Sequence, residues 1–274
     1  MPEVVMHPSS ERQIDSVIKN MPSALLLVGP DGVGLRTIAE MIVKKSGFEK
    51  TVVLPERQEV VDVERGTITV QSIRHLYEVT KTKGVNRLII IDSVERMGVV
   101  AQNAFLKLLE EPNDFTHFVL LAHNTSTLLP TILSRVQKID IRPVSKMQSE
   151  KLLDNLNVTD QARRTQLLFI AEGLPAEIVR LTDEGHFTNR SAIVRDARDF
   201  VTGNTYDRAV VAHKYRDNRS EALLLINDAL KQLKMTVEAK KDWSLLQAID
   251  KLLETHRRIE ANGNIRLQLT TALL

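Results

Sequence analysis

Short uninterrupted apolar runs punctuate the first half of the chain at Ala24–Val28, Leu88–Ile91 and Phe118–Leu121. Each is too short for a buried helix, and Leu88–Ile91 is rich in β-branched residues, the pattern of a strand covered on both faces. Thr51–Leu54 and Lys138–Ile141 read as two further strands. Between them the apolar positions change to helical spacing. Ile38, Ala39, Ile42 and Val43 mark one such helix, Ile73, Leu76, Tyr77 and Thr80 a second, and Ala101, Ala104, Phe105, Leu108 and Leu109 a third. Five strands alternating with helices predict an α/β domain with a parallel, doubly wound sheet.

Punctuation residues set the boundaries. Ser9 or Ser10 is the expected cap of a first helix carrying Ile14, Val17 and Ile18, which ends before Pro22. Gly47 closes the helix after the first strand, Gly84 the helix over Thr69–Lys83, and Pro112 the helix behind Glu110 and Glu111. The charged stretch Pro55–Gly66 reads as a surface connection, and a short apolar helix is expected at Ile132 and Leu133. Beyond Arg142 only helical periodicity remains. It runs through Met147, Leu152 and Leu153, through Leu167, Leu168, Ile170 and Ala171, and through Ile193, Ala197 and Phe200. Further helices are read at Leu223, Ile226, Leu230 and Leu233 and at Leu246, Ile249, Leu252 and Leu253, with joints expected at Gly185 and Gly203.

Composition narrows the chemistry. With 274 residues, 43% apolar and 26% charged, the chain has the material for a sizeable core and for more than one domain. No apolar run approaches the roughly 18 residues of a membrane span, and MPEVVMHPSS lacks the blocks of a signal peptide, so a cytoplasmic location is expected. There is no cysteine, and the histidines at 7, 75, 117, 123, 186, 213 and 256 have no ligand spacing; no metal site is expected from these residues. A net charge of +2 and 4% aromatic residues give little support to a dedicated nucleic-acid surface, so any DNA contact would be mainly to phosphates.

The segment after the first strand, Gly29-Pro30-Asp31-Gly32-Val33-Gly34, stands between a strand and a helix, the order in which backbone N–H groups cradle phosphates at a helix N-terminus. The full pattern continues with Lys and then Ser or Thr, for terminal phosphate and magnesium, whereas here Leu35 and Arg36 follow. Arg36 and Thr37 are not expected to substitute. Two readings stay open: glycines that only make a tight strand-to-helix turn, or a weak residual nucleotide site. Asp92, ending its strand, is where a nucleotide hydrolase holds a magnesium-associated Asp, but Ser93 follows in place of a catalytic Glu. Asp92 could equally cap the turn behind it. Glu95 lies two residues on, so its use would demand a different backbone course.

In order along the chain, ALLLV followed by GPDGVG, then IIID, AQNAFLKLLEEP and LLPTILSRV resemble the AAA+ clamp-loader subunits, in particular the delta-prime branch of that family. AQNAFLKLLEEP looks like the family's ANALLK-LEEP helix. The Ser-Arg-Val segment looks like its Ser-Arg-Cys segment, with Val136 in place of Cys. The resemblance is strong over the first half and weaker beyond.

That resemblance implies an AAA+ core at 1–142, a helical lid at 143–186 and a helical collar for oligomerisation at 187–274. It implies that Arg135 is an arginine finger directed at nucleotide on a neighbouring subunit; the residue alone would also suit a surface Arg paired with an acid. It implies a γ-phosphate sensor at Asn124, with Thr125 as the alternative, although Asn124 could instead cap the following turn. Where a second sensing Arg would stand, the chain has Ala176, and Arg180 falls a turn later. Gly29, Gly32, Gly34, Asp92 and Asn124 are therefore the residues of a degenerate nucleotide site. No cofactor is required, and weak residual ATP binding is allowed for. The family's zinc module is absent. The implied role is a non-hydrolysing subunit that works with other clamp-loader subunits and, through the complex, with the sliding clamp and primer-template DNA. The competing reading is an active ATPase with Arg36 on phosphate.

Overall fold

The computed structural model describes residues 4–58, 60–62, 66–81 and 84–272, and they divide into two compact units, 1–179 and 180–274. The first unit holds β1 (Ala24–Val28), β2 (Glu49–Val53), β3 (Glu56–Arg57), β4 (Val60–Val61), β5 (Arg87–Ile91), β6 (Thr116–Ala122) and β7 (Gln137–Asp140). Its helices are α1 (Pro8–Lys19), α2 (Leu35–Ser46), α3 (Val70–Thr80), α4 (Val99–Glu110), α5 (Pro130–Leu133), α6 (Lys146–Asn155), α7 (Gln161–Ala171) and α8 (Pro175–Arg180).

The main sheet is five-stranded and parallel throughout, in the order β2-β5-β6-β1-β7. Its two-residue period sends alternate side chains to opposite helical layers. Leu26, Ile89, Ile91, Phe118 and Leu120 meet α3 and α4, whereas Leu25, Leu27, Ile90, Val119 and Ile139 meet α1 and α2. Phe105 of α4 stacks edge-on against Phe118 at 5.2 Å between ring centres. The central strands β1, β5 and β6 are continuous apolar runs because both of their faces are core, whereas β2 and β7 at the sheet edges carry exposed polar positions.

Most expected elements are present, with a few differences. The cap of α1 is His7, not Ser9 or Ser10: with Pro8 in the first turn, the His7 Nδ1 accepts the Ser9 N–H. Pro55–Gly66 is not merely a connection, since β3 and β4 pair there as an antiparallel hairpin. Thr82 and Lys83, the expected end of α3, lie outside the described residues.

The second unit is helical: α9 (Glu184–Thr202), α10 (Thr205–Lys214), α11 (Arg219–Lys240), α12 (Leu246–Glu260) and α13 (Ile265–Thr271). Phe200, Tyr215, Leu225, Ile226, Leu252 and Ile259 are central to its core. Arg190 of α9 and Asp228 of α11 form a buried two-pronged ion pair. Asp196 accepts the Tyr215 hydroxyl at 2.6 Å, and burial, aided by that carboxylate, raises the phenol's pKa. Gly203 caps the end of α9, but Gly185 lies within its first turn, behind the Asp183 cap, so it makes no joint. Met147, Leu246 and Leu253 are exposed, because the buried stripes of α6 and α12 are narrower than the apolar pattern.

Candidate functional site

The parallel sheet turns the ends of β1, β5 and β6 toward one edge, where the glycine loop, Asp92 and His123 converge. Gly32 and Gly34 have φ of 83° and 95°, a left-handed backbone that favours glycine. The loop satisfies much of its own polarity: Asp31 Oδ1 accepts the Gly32 N–H at 2.8 Å, and the Pro30 carbonyl accepts the Val33 N–H at 3.1 Å. The Gly32 carbonyl accepts N–H groups from Ala176 and Glu177 at 2.8 and 3.1 Å, so the start of α8 sits on the loop.

The two positions after the loop diverge. Leu35 is buried in the core under α2, where an ammonium would otherwise meet phosphate. Arg36 turns to the strand end instead: its Nη1 donates to Asp92 Oδ2 at 3.0 Å, and its Nε to Glu40 Oε1 at 3.4 Å. Glu40 also accepts from Lys50 Nζ at 2.8 Å, and that ammonium is the first cause of the lowered pKa of its carboxyl. The hydroxyl and carboxylate positions that would share a magnesium ion thus hold an arginine–aspartate pair. A magnesium ion bridging a hydroxyl at position 36 and the Asp92 carboxylate does not fit these residues. An apolar cavity of about 110 Å³ remains beside Gly34 and Thr37, lined among others by Val4, Val33, Leu152, Leu156 and Pro175.

Ser93 adopts φ of 52°, and this left-handed step lets the chain double back into a single 3₁₀ turn that carries Glu95 inward. The Glu95 Oε1 accepts the His123 N–H at 3.3 Å, while Oε2 is buried without a hydrogen-bond partner. Burial raises the Glu95 pKa, and the neighbouring His123 and Arg96 only partly oppose it. The His123 Nδ1–H donates to the Gly29 carbonyl at 2.9 Å, tying β6 to the loop. Asn124 is next in sequence; its Oδ1 accepts the Ser126 N–H at 2.8 Å, a local Asx turn. Glu95 and His123 were not candidate site residues from sequence. Their proximity depends on the left-handed turn at Ser93, a feature without a simple residue signature.

Arg135 stands away from this edge, just past α5. Its Nη2 lies 2.9 Å from Glu110 Oε1, and its Nη1 donates to the Thr131 carbonyl at 3.0 Å. The side chain is 37% exposed. Its platform is set by Gln102, a buried residue of α4. Gln102 Nε2 donates to the carbonyls of Met97 and Thr127 at 3.0 and 2.9 Å, and its Oε1 accepts the Leu129 N–H at 2.8 Å at the start of α5. Gln102 lies within the motif read from sequence, but its positioning role there went unrecognised. A polar residue on the apolar face of α4 was the available signal.

A family model described as DNA polymerase III, delta subunit, matches residues 49–145, which contain Asp92, Gln102, Asn124 and Arg135 but not the glycine loop. The DNA polymerase III subunit delta′ of Pseudomonas aeruginosa is 29% identical over 206 residues, covering 65% of this chain and 61% of that protein. Over these stretches the chain is similar to DNA polymerase III delta′ subunits. The delta′ subunit of Bacillus subtilis is 31% identical over 125 residues, covering 46% of this chain and 37% of the relative. The chain thus matches less than two thirds of the length of either delta-prime relative. A DNA polymerase III gamma-subunit-related protein of Thermotoga maritima aligns over 96% of this chain and 97% of its own, with a TM-score of 0.54 and 20% identity; this likeness concerns the fold alone. Among the described residues no helix is long and apolar enough to cross a membrane, and no His, Cys, Asp and Glu cluster could hold a metal ion.

Proposed function

We propose that this delta-prime-like chain is a non-hydrolysing subunit of a clamp-loader ring, and that it supplies Arg135 to nucleotide held by an adjacent subunit. The observation that carries this reading is the different state of the two ends of the core. At the loop, Leu35 points into the core in place of the phosphate-binding Lys, and Arg36 is paired to Asp92 where a metal would bridge. At α5, among the described residues, Arg135 is held by the surface partners Glu110, Thr131 and Ser134 and could exchange Glu110 for a phosphate. A planar guanidinium that stays charged suits a developing phosphoryl charge.

In this proposal 143–186 forms a lid on the core and 187–274 a collar for association with other subunits, while the sliding clamp and primer-template DNA are met through the complex. The chain's proposed location is the cytoplasm. The degenerate site of Gly29, Gly32, Gly34, Asp92 and Asn124 needs no cofactor, although the cavity beside Gly34 leaves room for weak residual binding on its apolar side. The test is Arg135→Ala in a ring reconstituted with ATP-hydrolysing partner subunits. Turnover should fall while assembly, followed by gel filtration, is retained. Unchanged turnover in an assembled ring would remove the finger role. ATP turnover by the isolated chain, abolished by Arg36→Ala, would instead support the active-ATPase reading.

A further inference from the structure

Arg36 does more than replace a hydroxyl. It spans from the first turn of α2 to the end of β5, contacting Asp92 at 3.0 Å and Glu40 at 3.4 Å, and Glu40 is held in turn by Lys50 of β2. A divalent ion in a nucleotide site joins the same two elements by bridging a hydroxyl on the helix and a carboxylate at the strand end. Directly beside this bridge the loop is closed: the Gly32 carbonyl is taken by Ala176 and Glu177. A Cβ added at Gly32 would approach the Glu177 Cβ to 2.9 Å, so loop and α8 are in close packing.

We propose that Arg36 is a resident cation: a positioning residue that joins α2 to Asp92 in place of a divalent metal and keeps the glycine loop closed under α8 without nucleotide. A guanidinium suits the task because it remains charged at all physiological pH and directs several N–H donors in one plane. It brings one positive charge against the one negative charge of Asp92, so the bridge is neutral by itself and offers no open ligand position to a phosphate-bound metal. The inference rests on the reading of this chain as non-hydrolysing and adds a cause to it: the closed state is built into the polypeptide instead of being acquired with a ligand.

The experiment is amide hydrogen exchange on the full chain, comparing the parent with Arg36→Ala, Asp92→Asn and the double variant, each with and without magnesium chloride and ATP. Either single change should speed exchange over 31–36 and 174–178 by about three- to tenfold, and the double variant should be no faster than the singles, the signature of one shared interaction. Arg36→Lys, which keeps the charge, should recover part of the protection. The parent should not respond to magnesium and ATP, whereas Arg36→Thr, which restores a hydroxyl and frees Asp92, should gain protection of the loop when both are added. Additive single effects, or a parent loop that becomes protected by magnesium and ATP, would overturn the resident cation. So would an Arg36→Thr variant as unresponsive as the parent. These outcomes are separable from the finger: a ring still slowed by Arg135→Ala would keep that role even if the exchange data refuted this one.

Discussion

Arg36 and Arg135 are almost equally exposed, at 41% and 37% of the side chain, yet they differ in what holds them. Arg36 is fastened to Asp92 at the end of β5 and to Glu40 one turn along its own helix, and stands where a ligand would be bound. Arg135 is fastened to Glu110 and to carbonyl and hydroxyl groups of its own turn, on a platform made rigid by Gln102. The difference teaches that exposure does not identify a functional arginine. What matters is whether its partners are the site's own catalytic positions or replaceable groups at the surface.

The comparison is tested most severely at Arg135 itself. Arg135→Ala should reduce ATP turnover at the adjacent subunit's site by about 10³-fold, the lower end of effects from arginine fingers, measured as phosphate release at constant assembly in a ring whose other sites are inactivated. Next is the platform. Gln102→Ala leaves two carbonyls and the Leu129 N–H unsatisfied and should lower unfolding stability by about 3 kcal/mol in urea titrations. In the ring it should slow turnover less than loss of Arg135 does; a larger effect would mean that α4 itself acts on the partner.

At the other end, Gly32→Ala should lower stability by about 2 kcal/mol, through its left-handed φ and the approach to Glu177. A neutral outcome in thermal unfolding would show that loop and α8 are not closely packed. Glu95 gives a pH test at the same edge. Because burial raises its pKa in the folded state, full stability is present below the unfolded carboxyl pKa of about 4.3 and is lost as pH rises through the higher folded value. Glu95→Gln should therefore flatten the dependence of Tm on pH above the unfolded carboxyl pKa and raise stability at the alkaline end. Parallel profiles for variant and parent would contradict that account. The smallest effect is expected from Glu110→Ala, at most about 0.5 kcal/mol in denaturant titrations, since an exposed ion pair contributes little. A much larger loss would mean that Arg135 is anchored as firmly as Arg36.

The centre of the sheet was legible because β1, β5 and β6 are buried on both faces, which makes them continuous apolar runs too short for a buried helix. The position of Arg135 was legible as well, since a proline-ended helix and a Ser-Arg-Val turn are local features. Less could be read where one residue's backbone choice governs another's side chain. The left-handed step at Ser93 swings Glu95 to His123, and the His7 cap displaces the two serines that the local pattern favoured. Gln102 was concealed by lying in a recognisable motif whose apolar members dominate its pattern.

By itself, then, the sequence determined the alternation of strands and helices, the replacement of Lys and Ser or Thr by Leu35 and Arg36, and the motif that ends at Arg135. These rest on side-chain periodicity and residue identity, which are local. The tertiary structure decided where each charge goes. Arg36 and Asp92 are 56 positions apart in sequence, and the parallel ordering of the strands, which sets the ends of β1 and β5 at one edge, brings them within hydrogen-bonding distance; Gly32 is 144 before Ala176, and the helical segment that returns through α8 closes that distance.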